Sequence, residues 1–111
     1  MMRREEIRIT LAGANGAAAG AGRSAAPLYG ELVGVHIDYL SQPATTDVVV
    51  SMDSPALTLL TVSDSNTDGW SWPREEVEAD IFERYPLVGY VTVAVDDGNA
   101  GDLVVTLVYA D

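Results

Sequence analysis

The sequence contains no cysteine and no lysine, and only six arginines stand against 17 acidic residues. Without cysteine, neither a disulfide nor a thiolate-bound metal can stabilise the fold. The formal net charge of −11 repels polyanions, so we expect no direct binding to nucleic acid or to anionic membrane lipid. No apolar run approaches the ~18 residues that a membrane span requires. The sequence nevertheless predicts a folded domain, because 48% of the residues are hydrophobic.

The first residues imitate a secretion signal, with Arg3 and Arg4 followed by many alanines and glycines. Acidic residues and Arg8 interrupt this pattern, and no continuous apolar segment follows them. We therefore expect a soluble protein that is made without export.

Alternating apolar residues predict that the chain is built of β-strands. The segment 87–109 contains two β-rich runs around a polar link at 96–102, which predicts an antiparallel hairpin. In its first run Val91, Val93 and Val95 share one face. Its second run is apolar on both faces and should be covered on both sides. We expect this hairpin to organise the fold.

The other segments give a coarse outline of one domain, residues 1–111. Strands are predicted at 7–11, 31–40, 47–52 and 56–62. A Gly/Ala-rich stretch, 12–26, is predicted to be a flexible loop or arm, and 63–74 a long loop. Residues 75–84 are predicted to form a short acidic helix with Val77, Ile81 and Phe82 facing the core. Short strands separated by turn signals favour an all-β antiparallel β-sandwich of jelly-roll type.

The Gly/Ala-rich stretch begins as a dinucleotide-binding turn would, with a strand that runs into Gly13 and Gly16. The third glycine is Gly20, whereas the motif requires position 19. The helix that should follow has no large apolar residues for packing on a sheet. A flexible arm that grips a partner through Gly16, Gly20 and Arg23 is the preferred interpretation, since small side chains allow close backbone approach.

An acidic loop matches the spacing of an EF-hand calcium site. Asp64, Asn66, Asp68, the Trp70 carbonyl and Glu75 supply the hard oxygen donors that Ca²⁺ prefers. The segment before the loop is predicted to be a strand rather than a helix, and a proline interrupts the run to Glu75. An ordinary turn without metal is the preferred interpretation, and we expect no cofactor.

Two tryptophans lie in the long loop and would point the same way in an extended chain. Trp70 and Trp72 beside Arg74 would form an interface hot spot. The preferred interpretation is that at least one of them caps the open end of the core. The only histidine, His36, is predicted to lie opposite the core-facing residues of its strand. No nucleophile or acid–base pair is evident, so we expect no enzymatic activity.

The order of these features resembles small all-β structural proteins of tailed bacteriophages, encoded among head and head–tail genes. The resemblance covers most of the chain after Leu28, and its most specific segment is Asn-Thr-Asp-Gly-Trp followed by Pro-Arg at 66–74. The other matching segments lie at 30–39, 45–50, 57–62 and 85–95. The family has no active-site residues that could be carried over.

The resemblance implies a non-enzymatic virion protein, most simply a capsid decoration or head accessory protein. It would be made in the host cytoplasm, assemble with itself, for example as a trimer, and bind the major capsid protein. Many symmetric copies would then strengthen a weak single contact. The alternatives are a head–tail connector or tail component, a calcium-dependent binding module that uses the Asp64–Glu75 loop, and a nucleotide-binding enzyme.

Overall fold

The computed structural model describes residues 1–111 as strands and turns, with no helix. None of its segments forms a helix that is long and apolar enough to cross a membrane. The strands are β1 (Met2–Leu11), β2 (Ala18–Arg23), β3 (Leu28–Asp38), β4 (Asp47–Asp53), β5 (Ala56–Val62), β6 (Gly69–Ser71), β7 (Glu75–Glu78), β8 (Ile81–Glu83), β9 (Pro86–Gly89), β10 (Val91–Gly98) and β11 (Gly101–Ala110).

Two antiparallel sheets make up the domain. The first has the order β1-β11-β3-β6, and β9 pairs with the beginning of β3; the second has the order β2-β10-β4-β5. Strands β7 and β8 form a separate hairpin. The prediction of an all-β antiparallel sandwich is confirmed.

The core lies between the two sheets, where alternate residues of each strand meet. Ile9 of β1, Leu107 of β11 and Val93 of β10 are completely buried, and 21 buried residues form one continuous cluster. Their neighbours in sequence point outward, as the period of two requires. The long strands of the two sheets therefore offer one face to the core and one face to solvent.

The predicted hairpin at 87–109 is wrong in its pairing, although both of its runs are strands. β10 pairs with β2 and β4 in the second sheet, whereas β11 pairs with β1 and β3 in the first. The link between them crosses from one sheet to the other, with Gly101 in the left-handed region at φ 139°. Each strand is central in its own sheet, so both edges of its backbone are already paired.

The Gly/Ala-rich stretch is also different from its prediction, because Ala18–Arg23 is the edge strand β2 rather than a flexible arm. It pairs with β10 and lies over β1. A side chain at Gly20 would collide with the Thr10 carbonyl oxygen, so glycine is what allows the two backbones to pack. No helix follows the glycines, and the nucleotide-binding alternative therefore loses its structural basis.

Residues 75–84 form the β7–β8 hairpin instead of the predicted acidic helix. Val77, Ile81 and Phe82 are exposed there, so their spacing reflects no helical core face. The predicted long loop at 63–74 contains the short strand β6, which pairs with β3 at the edge of the first sheet. This strand carries Trp70, which belongs to the candidate site.

Candidate functional site

Two parallel tryptophan rings stand on the outer face of the first sheet. The ring centroids of Trp70 and Trp72 are 5.4 Å apart and their planes differ by 8°, which is an offset stack. Trp70 is 48% exposed and Trp72 is 58% exposed. The prediction that the two side chains point the same way is confirmed. Neither belongs to the buried core cluster, so the preferred interpretation, that at least one of them caps the core, is wrong. We call this pair the tryptophan platform.

The strand pairing beneath the platform determines its position. His36 is the ladder partner of Trp70, and Val35 is the partner of Ser71. The His36 and Trp70 rings lie 5.0 Å apart, tilted by 58°. Because the buried residues Val35 and Ile37 flank His36 in sequence, its side chain must point outward with the tryptophans. The predicted orientation of His36 is therefore confirmed.

Gly34 provides the space that Trp72 occupies. A Cβ at Gly34 would lie 2.6 Å from the Trp72 Cζ3 atom and 2.7 Å from its Cε3 atom. The six-membered ring therefore lies directly over the β3 backbone. Sequence analysis missed this role of Gly34, since it depends on the long-range pairing of β3 with β6.

Hydrogen bonds fix the chain on both sides of β6. Asp68 Oδ1 accepts from the Tyr39 backbone N–H at 2.8 Å, and Asn66 Nδ2 donates to the Gln42 carbonyl at 3.2 Å. On the other side, Arg74 Nη1 donates to the Val33 carbonyl at 3.2 Å. The platform is thus held by the β3–β6 strand pairing and by three side-chain hydrogen bonds. Binding of a ligand therefore costs little conformational entropy of the protein.

Polar side chains extend the same face away from the platform. The register places Thr106 of β11 beside His36, and Glu6 of β1 beside Thr106. Asp38 lies two residues after His36 on the same side. With strands ~4.8 Å apart, this face extends about 14 Å from β6 to β1. It offers hydroxyl, carboxylate and imidazole groups next to two apolar rings.

The predicted calcium ligands do not converge. No cluster of three or more acidic or histidine side chains in the structure could hold a metal ion. Asp68 and Asn66 are used in the hydrogen bonds described above, and Asp64 begins a turn in which its backbone N–H donates to Asp47 Oδ1 at 2.9 Å. Trp70 lies in a strand and Glu75 begins β7, so the loop does not wrap around a centre as an EF-hand loop does.

The predicted partner-binding residues fall into two separate groups. Trp70, Trp72 and Arg74 lie together at the β6 edge of the first sheet. Gly16, Gly20 and Arg23 belong to the second sheet and the turn before it: the Gly16 N–H donates to Asn99 Oδ1 at 3.0 Å, and Arg23 ends β2. The two groups thus lie on different sheets, and partner binding by either of them stays a prediction.

No family model matches the sequence, and no curated protein does. A mutant of a carbohydrate-binding module of family 29 matches with a TM-score of 0.45 at 14% identity, over 97% of this chain and 79% of that chain. A CBM29-2 mutant complexed with cellulohexaose gives 0.42 at 14% identity, over 97% and 79%. A CBM4 structure gives 0.33 at 13% identity, over 93% and 89%. At these identities the likeness concerns the fold alone.

These findings contradict the predicted role as a phage capsid decoration protein. The solved structures named above are carbohydrate-binding modules, and the virion role is corrected accordingly. The arm that was expected to grip a neighbouring capsid subunit is the strand β2, packed within the domain.

Proposed function

We propose that this protein is a non-catalytic binding module that holds a neutral polysaccharide against the tryptophan platform. The observation that carries the proposal is the pair of half-exposed, parallel rings of Trp70 and Trp72, fixed on an open sheet face. The face of an aromatic ring is electron-rich and attracts the polarised C–H groups on the flat side of a sugar ring. Because the stacked rings are offset and each is about half exposed, each of them still offers surface to a sugar unit.

The charge of the protein supports a neutral ligand. Aromatic platforms also stack nucleobases, but those sites track the phosphate backbone with positive charge. Here the net charge is −11, and Arg74, which is close to the platform, is engaged with the Val33 carbonyl. A single-stranded nucleic acid would therefore be repelled, whereas an uncharged polysaccharide would not.

The size of the exposed aromatic surface favours a small or linear ligand over a protein. A buried tryptophan contributes up to about 250 Å², so two half-exposed rings offer on the order of 250 Å² together. A stable protein interface buries about 800 Å² on each partner. The surrounding Thr106, Asp38 and Glu6 are polar and would accept or donate hydrogen bonds to sugar hydroxyl groups.

Affinity electrophoresis in gels that contain single neutral polysaccharides, such as glucans, mannans and xylans, tests the proposal. At least one polysaccharide should retard the wild-type protein, and Trp70→Ala and Trp72→Ala should each abolish most of the retardation. Phe82→Ala is the matched control, because Phe82 is equally exposed, at 57%, but lies on the β7–β8 hairpin. Equal loss in all three variants, or no retardation by any neutral polysaccharide, would refute the proposal.

A further inference from the structure

A recess lies at one end of the second sheet, away from the platform. It has a volume of about 410 Å³ and is lined by Arg23, Pro27, Tyr29, Asp53, Ser54, Gly89 and Tyr90, which is within the range of small-ligand sites. We call it the Arg23 cleft. Tyr29 lies five residues before Gly34 on β3, so the cleft and the platform are on the order of 15 Å apart along the strand.

Arg23 is prepared for an anion in this cleft. Its guanidinium carbon lies 4.2 Å from the centroid of the Tyr90 ring, a cation–π contact that restricts the side chain. Arg3 and Arg8 are paired with carboxylates, whereas Arg23 makes no ion pair or hydrogen bond within the chain. Its five N–H donors are therefore free to take a carboxylate in bidentate geometry.

The remaining lining limits the ligand to one negative charge and several hydroxyl groups. Asp53 lines the same cleft, and its Oδ2 accepts from the Thr92 hydroxyl at 3.0 Å. A second anionic group beside Asp53 would be repelled, whereas a hydroxyl donor would be bound. Ser54 and the hydroxyl groups of Tyr29 and Tyr90 add donors and acceptors, and the tyrosine rings add flat apolar surface.

The cleft continues into a neighbouring recess, which allows a ligand longer than one unit. The neighbouring recess has a volume of about 250 Å³ and shares Pro27 and Tyr29 with the Arg23 cleft. At its far side Arg3 is bonded to Asp111, so its charge is already compensated. The groove as a whole thus has one free cation, at Arg23.

We infer that the Arg23 cleft binds a carboxylate-bearing sugar unit, that is, a hexuronic acid within a polysaccharide. Arg23 takes the carboxylate, Asp53 and Ser54 take ring hydroxyls, and the tyrosine rings contact the sugar face. The choice of a sugar as the ligand class rests on the proposed function, whereas the binding of a carboxylate by Arg23 does not. The protein would then bind two parts of one polymer, namely a neutral stretch at the platform and an acidic unit at the cleft.

Amide and indole NMR spectra of the full chain separate the two sites in one experiment. Aldotriouronic acid, which has one glucuronic acid and two neutral xylose units, should shift the amide signals of Ser54, Gly89 and Tyr90, whereas xylotriose should not. Arg23→Ala should weaken this binding at least tenfold, while Arg4→Ala, which removes an exposed and unpaired arginine from β1, should change it less than twofold. Added salt should weaken the interaction, because the charged groups are partly exposed.

Three results would overturn the inference. They are cleft signals that do not respond to aldotriouronic acid, equal affinity in Arg23→Ala, and a stronger response to a tripeptide with a free C-terminal carboxylate than to the sugar acid. The indole signals of the two tryptophans report the platform independently, since the chain has only two tryptophans. If they respond to a neutral polysaccharide while the cleft stays silent, the proposed function stands and only this inference fails. If the cleft signals respond and the indole signals do not, the binding of a carboxylate by Arg23 stands and the proposed function fails.

Discussion

The two outer faces of the sandwich lie over the same core but carry different chemistry. The first sheet presents stacked tryptophan rings beside His36. The centre of the second sheet presents small side chains, with Ala21, Ala94 and Val49 in register across β2, β10 and β4. The outward residues contribute little to the core, so the two faces can differ, and an exposed pair of large rings on one of them points to a function there.

The two regions also depend on one glycine each. Trp72 needs the absence of a side chain at Gly34, and β2 needs the absence of a side chain at Gly20. The first glycine shapes the surface for a ligand, whereas the second brings two backbones together inside the domain. Substitutions at these glycines and in the shared core separate the two roles.

Leu107→Ala removes a completely buried side chain from the core that both faces share. We expect the free energy of unfolding to fall by about 3 kcal/mol, through lost burial and the cavity left behind. Val108→Ala is the control, since Val108 is next in sequence but lies on the outer face of β11, and should lose less than about 1 kcal/mol. Equal losses in urea denaturation would contradict the assignment of the two faces.

Gly20→Ala places a methyl group against the Thr10 carbonyl of β1. Because backbone atoms must move to accommodate it, we expect a loss of about 2 kcal/mol of stability. Ala21→Ser changes the outward neighbour and should stay within about 0.5 kcal/mol. A Gly20→Ala protein as stable as the wild type would mean that β2 does not pack closely on β1.

Gly34→Ala forces the Trp72 ring away from its position while leaving both tryptophans in the chain. Affinity for a neutral polysaccharide should fall about fivefold, roughly 1 kcal/mol, with little change in stability because the exposed ring can move. Gly69→Ala is the matched control, since a Cβ at Gly69 meets no atom within 4 Å. Isothermal titration calorimetry of both variants checks the prediction, and equal affinities would contradict it.

The smallest effects concern carboxylates near the link between the sheets. A hydrogen bond with the Asp47 carboxyl, together with desolvation and nearby negative charge, raises the pKa of Asp97 at the end of β10. Hydrogen bonds from Arg8 and Thr10 lower the pKa of Asp102 at the start of β11. The two groups should therefore respond to pH with opposite signs.

A raised pKa means that the protonated carboxyl stabilises the folded state below its ordinary pKa, and that this contribution is lost as pH rises through the raised value. Asp97→Asn should thus slightly raise the Tm at pH 7 and have no such effect near pH 3. For Asp102 the lowered pKa gives stability above its ordinary value, which is lost on acidification, so Asp102→Asn should slightly lower the Tm at pH 7. Shifts of the same sign at pH 7 in thermal scans would contradict this assignment.

Local sequence patterns predicted the six longest strands, because burial of one face produces an alternation that is visible in the sequence, as at Val91, Val93 and Val95. The same pattern does not identify the partner of a strand, so β10 and β11 were predicted to pair with each other. Residues 75–84 imitated a helix because apolar Val77 and Ile81 are four positions apart. Local composition could not show that glycines at 20 and 22 pack an edge strand against β1.

The candidate site was predictable in part. The alternation in Trp-Ser-Trp indicated that Trp70 and Trp72 share a side, and the pattern of β3 placed His36 outward. The contact of Trp72 with Gly34 and the contact of Arg23 with Tyr90 join residues that are far apart in sequence. No spacing rule gives such contacts, because they depend on which strands become neighbours.

The most direct test of the central claim is a tryptophan fluorescence titration with the neutral polysaccharide that retards the protein. Both tryptophans of the chain belong to the platform, so all of the tryptophan emission reports this one surface. A saturable shift of the emission to shorter wavelength, as sugars cover the rings and displace water, is the predicted result. Binding that leaves the emission unchanged would place the ligand elsewhere and contradict the account.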